Sequence, residues 1–192
     1  MGLFNFLRGK CLSERVLGEL AGRCCGALMS CYDYFNDRAT LKNDRMKLKL
    51  LFRLMGFVLL YTDHQIYASK GPEARSDAME KLIRLVGSAI ASGMPDDPQY
   101  KLRALLEPSI EVEGNIRVQT SAYLMGMVQE VFQKYGVLLA GPNGLERAIK
   151  DFSKETCSEF VGASHHHPAA PVEFQILLMT ALGSMRLKEI LS

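Results

Sequence analysis

LKLLFRLMGFVLLY, residues 48–61, decides the fold. Apolar side chains fall on almost every side of it when it is wound at the helical period of about 3.6 residues. A rod of that kind is either surrounded by protein or placed in a membrane. Crossing the hydrocarbon core takes about 20 apolar residues. Here the stretch free of charge, from Leu54 to Thr62, is nine residues long, and Lys49 and Arg53 interrupt what precedes it. The segment is therefore expected to be a central core helix. The last helix, which contains EFQILLMTALGSM and is also apolar around much of its circumference, is its expected neighbour.

The flanking sequence is helical nearly everywhere. Ser13 can cap a helix over 13–36, in which Val16, Leu17, Leu20, Cys24, Leu28, Cys31 and Phe35 recur every three or four residues. A second helix spans roughly 40–69 and stops before Gly71-Pro72. Pro72 suits the first turn of a third, with Met79, Leu82, Ile83, Val86 and Ile90 on one face, and a short helix over about 98–107 follows. Only SIEVEGNIRVQ alternates. A loop at 113–115 would set Ile110 and Val112 beside Val118 and Ile116, a β-hairpin over 110–118; equally, Asn115 could cap the helix that runs to Tyr135. Asn143 and Glu146 have capping-box spacing for a helix carrying Leu145, Ile149, Phe152 and Phe160, and Pro171 starts a last helix that reaches Ile190. These elements predict an all-α fold, a single-domain helical bundle of six or seven helices over 13–192. An amphipathic segment, 1–12, precedes it, with Leu3, Phe4 and Leu7 on one side.

Composition narrows the class. Apolar residues make up 48% of the 192 and charged residues 23%, ordinary values for a soluble domain. The net charge of +2 is small but uneven: residues 1–60 hold ten Lys/Arg against five Asp/Glu, so any anion-attracting surface belongs in the first third. Five cysteines, an odd number without scaffold spacing, and ten methionines point to a reducing, cytoplasmic setting. MGLFNFLRGK lacks the layout of a secretory signal, and Phe6 stands where a myristoylation motif needs Ser or Thr.

VLLAGPNG, residues 137–144, raises the question of a phosphate-cradling loop. A Walker loop needs a second glycine followed by Lys and then Ser or Thr. Counting from Gly141 places Glu146, Arg147 and Ala148 there, so a carboxylate meets the phosphates and no hydroxyl holds magnesium. The stretch reads as a helix–helix turn, and no cofactor is expected.

Three sets of residues remain as candidate sites. Gly18, Gly22 and Gly26, continued by Ser30, recur at intervals of four, although each glycine inside a helix costs about 1 kcal/mol relative to alanine. Aligned in this way they let another backbone approach closely, either a helix of the same chain or a second copy across a dimer seam. Arg38, Lys42, Arg45, Lys49 and Arg53 share one helix face about 80° wide, a row that suits anion binding or pairs with acids of neighbouring helices such as Glu73 or Asp77. No aromatic residues interleave it and no nucleic-acid motif accompanies it. His64 and the run His165, His166 and His167 could gather a metal if the fold brought them together. Cys24, Cys25 and Cys31 have neither metal spacing nor a local base, and are expected to be structural thiols.

Two functional readings follow. The first is a non-catalytic interaction or scaffold module acting through a protein partner or as a homodimer. Its basic face offers a weaker route to a nucleic acid or membrane surface. The alternative is a metal-binding protein or metal-dependent enzyme using His64 and the 165–167 run.

Overall fold

The structure is a computed structural model and describes residues 11–36, 44–92, 116–161 and 168–192. Among the described residues every element is helical and no strand occurs. The helices are α1 Glu14–Asn36, α2 Asp44–Ser92, α3 Ile116–Val131, α4 Gly144–Phe160, α5 Ala170–Ser184 and α6 Leu187–Leu191. Five are long and α6 is little more than one turn, so six or seven full helices are not found among the described residues. The expected helix over 98–107 and the segment 1–10 lie outside them.

The central helix is as its sequence demands. Leu54, Met55, Phe57, Val58, Leu59 and Leu60 are all at most 1% exposed, and the whole run 54–60 is buried, so water is excluded from every side of it. α1 covers one flank with Leu17, Leu20, Cys24, Leu28 and Cys31, and α3 covers another. Gly56 makes the second contact close. A Cβ there would stand 3.2 Å from Val131 Cγ2 and 3.4 Å from the Met127 carbonyl oxygen.

The expected partner of this rod is the last helix, and the structure corrects that. α5 packs on α4 and on α1, while α3 and α1 hold most of α2. Phe174 of α5 meets Phe35 of α1 with ring centroids 4.8 Å apart, and Phe152 of α4 reaches the central helix by stacking on Phe57 at 4.2 Å. Apolarity around a circumference does not by itself imply burial. The side of α5 away from Phe174 and Leu178 leaves Val172, Ile176 and Met179 exposed.

α2 is two helical arms, residues 44–70 and 72–92, joined at a break. Gly71 has φ 83° and ψ 179°, a conformation open to glycine alone, and Pro72 then restarts the helix. The expected stop before Gly71-Pro72 is thus a break between two helices that the chain passes directly through. α3 departs from α geometry as well: after Val131 it widens into a π turn, Phe132–Gly136, before a last turn, Val137–Leu139.

Three local expectations are corrected. Ile116, Arg117 and Val118 are the first turn of α3, so the returning half of the hairpin over 110–118 is absent, and its other half lies outside the described residues. The capping box at Asn143 and Glu146 is not formed. Asn143 is left-handed, with φ 55°, rather than extended as a capping side chain requires, and makes no side-chain cap. The last helix does not run unbroken to Ile190, because Arg186 turns left-handed at φ 47° and separates α5 from α6.

VLLAGPNG is a turn. The Gly141 N–H donates to the Leu138 carbonyl at 3.1 Å and the Gly144 N–H to that of Gly141 at 3.0 Å. A Cβ on Gly144 would collide with the Leu138 backbone, so glycine is required there for steric reasons and not to approach a phosphate.

Candidate functional site

Both irregularities, the break in α2 and the π turn of α3, lie beside one cleft. It measures about 680 Å³ and opens between the second arm of α2 and α3. Met79 and Ile83 from the arm face Val128 and Phe132 from α3, making an apolar wall. The polar end is built by Asp63 from the first arm, Arg75 and Ser76 just after the break, and Gln129 and Gln133 along α3.

Asp63 and Arg75 form the centre of that end. Nε of Arg75 donates to Oδ1 at 2.5 Å and Nη2 to Oδ2 at 2.8 Å, a side-on fork that spans the break and ties the two arms together. The Asp63 side chain is only 8% exposed, whereas that of Arg75 is 34% exposed. The guanidinium carbon lies 5.2 Å from the Phe132 ring centroid and 5.8 Å from that of Tyr67, within cation–π range of both. The hydrogen bond to Asp63 first, then its charge, raises the Arg75 pKa against the cost of burial, so the cation is firmly held. Arg75 and Phe132 also border a smaller hollow of about 220 Å³, lined in addition by His64, Tyr67 and Leu139. Helix distortions of these two kinds recur where a protein aims side chains at a ligand.

The basic row ends in a different environment. Arg38 and Lys42 lie outside the described residues, as does the side chain of Arg45. Lys49 Nζ pairs with Glu159 Oε1 at 2.6 Å, and Arg53 bridges Glu159 at 2.5 Å and Glu155 at 3.3 Å. Glu155 also accepts from Lys134 Nζ at 2.5 Å and from the Tyr135 hydroxyl at 2.6 Å. Burial works to raise the Glu155 pKa, but the hydrogen bonds from Lys134 and Tyr135 and the nearby cations outweigh it and hold it below the ordinary value. The acids that meet Lys49 and Arg53 are thus those of α4. Asp77 instead pairs with Lys81 at 2.8 Å. The two described cations are engaged within the chain.

The glycine face is open. Gly18, Gly22 and Gly26 point away from the core, and a Cβ at any of them would meet nothing within 4 Å among the described residues. Among the described residues no helix of the same chain closes on this face, whereas a close helix–helix approach occurs at Gly56. His64 is half-buried in the smaller hollow, while His165, His166 and His167 lie outside the described residues. Among the described residues no three His, Cys, Asp or Glu side chains converge on a metal position.

Three of the five cysteines are packed as small hydrophobes. Cys24, Cys31 and Cys157 are buried, Cys25 is half-buried and Cys11 is exposed. Burial pushes the Cys24 and Cys31 thiols up to about 12, and Cys24 sits 3.4 Å from the Thr62 hydroxyl. Unreactive thiols follow directly.

Sequence reasoning did not find Asp63 and Arg75. They are twelve positions apart, a separation that aligns nothing on an unbroken helix, and only the break at Gly71 brings them together. The available signal was an aspartate and an arginine flanking Gly-Pro. No protein-family model, curated protein or solved structure matches the chain, so the geometry of this cleft is what any functional reading has to stand on.

Proposed function

We propose that the protein is a non-catalytic interaction module whose working surface is the cleft between the second arm of α2 and α3. The observation that supports this is the Asp63–Arg75 pair: a buried carboxylate presenting a partly exposed, ring-flanked guanidinium at the polar end of an apolar cleft. Its volume falls within the range of about 300–1,000 Å³ usual for ligand sites. Recognition fits better than catalysis because the Asp63 carboxylate is 8% exposed and is held by the two-point fork from Arg75, so the accessible group of the pair is the guanidinium, which neither gives nor takes a proton.

Mapping a fragment library onto the isotopically labelled full chain by nuclear magnetic resonance tests the reading. Shifts should concentrate at Ser76, Gln129 and Gln133. Fragments that collect elsewhere, or that find no preferred position, would remove the support for this cleft.

A further inference from the structure

We infer that the cleft takes a small carboxylic acid with an apolar body, its carboxylate received on the unpaired edge of Arg75. This rests on the reading of the cleft as the recognition surface and adds the chemistry of what it recognises. A guanidinium carries five N–H donors in one plane. Asp63 occupies the edge formed by Nε and Nη2. The end-on edge, made of Nη1 and the remaining N–H of Nη2, has the same fork spacing and suits a second carboxylate. Among the described residues no acceptor sits on it.

Burial decides which charge a ligand meets. The Asp63 side chain is 8% exposed and that of Arg75 is 34% exposed, so the accessible partner of the pair is the cation. The Phe132 and Tyr67 rings, 5.2 and 5.8 Å from the guanidinium carbon, restrict how that edge can turn. The cleft that Arg75 borders is also lined by Met79, Ile83 and Val128, which accommodate hydrocarbon and not a polyol or a sugar. Among the described lining residues Arg75 is the only cation, which fits a singly charged carboxylate better than a phosphate dianion.

Titration of the full chain with 4-phenylbutanoate and its neutral isostere 4-phenylbutanamide tests the inference, with binding followed by amide shifts at Gln129 and Gln133. The acid should bind about tenfold more tightly than the amide, or better. Gln133→Glu, at an exposed position on the rim, should weaken the acid about tenfold more than the amide, because only the acid meets the added charge. Equal affinities for acid and amide would overturn carboxylate recognition, and so would an acid insensitive to Gln133→Glu. Binding of neither compound would also overturn it. The fragment map decides separately whether the cleft is a recognition surface at all.

Discussion

Glycine carries two opposite meanings in this chain, and a substitution distinguishes them. Gly22 is exposed, with nothing among the described residues within 4 Å of a notional Cβ, so alanine there should stabilise the protein by about 0.5–1 kcal/mol through its better helix propensity. Gly56 is pressed against α3, with Val131 Cγ2 at 3.2 Å, and Gly56→Ala should cost about 1–3 kcal/mol by forcing the two helices apart. Urea denaturation of the two variants should move the midpoint in opposite directions. A Gly22→Ala variant that lost stability, together with a later elution volume, would instead reveal a second copy seated on that face. The spacing of Gly18, Gly22 and Gly26 was legible in the sequence, but spacing alone does not say which side of a helix is covered. Gly56 drew no notice because one glycine in an apolar run looks incidental until a neighbouring helix is in place.

At the level of elements, α4 acts as the acidic counterpart of α2. Glu155 and Glu159 hold Lys49 and Arg53, and Glu155 also collects Lys134 and Tyr135 from the π turn. Because the folded-state pKa of Glu155 is lowered, its contribution is present above the unfolded carboxylate value of about 4.3 and is lost as pH falls through the lower folded value. Glu155→Gln should therefore lower stability at neutral pH and flatten its decline below pH about 4.3, as measured by urea denaturation across that range. The helices themselves were readable in advance: the apolar faces expected for α1, α4 and the second arm of α2 are buried except at Val16, Leu145 and Ile90, which are half-buried. Their pairings were not. The row of cations suggested acids nearby and could not say that they come from a helix about a hundred residues further on. The capping box expected before α4 failed for a different reason, since Asn143 adopts the left-handed turn that Gly144 makes room for.

The whole molecule is organised around one buried rod, which its sequence announces most clearly. Phe57 is 1% exposed, stacks on Phe152 and meets Tyr135 edge-on at 5.8 Å, so it joins α2, α4 and the π turn that continues α3 at one point. Phe57→Ala should cost about 3–5 kcal/mol, with the urea m-value unchanged if the cavity stays closed to water. What could not be read was the cleft, since it depends on where two helices part and not on any local pattern. The sorting of the five thiols has a practical consequence. Cys11 is exposed while Cys24, Cys31 and Cys157 are enclosed within the bundle, so the number of alkylated sites per molecule counts which layers have opened. The chain carries its own gauge of partial unfolding, graduated from its outer surface to its middle.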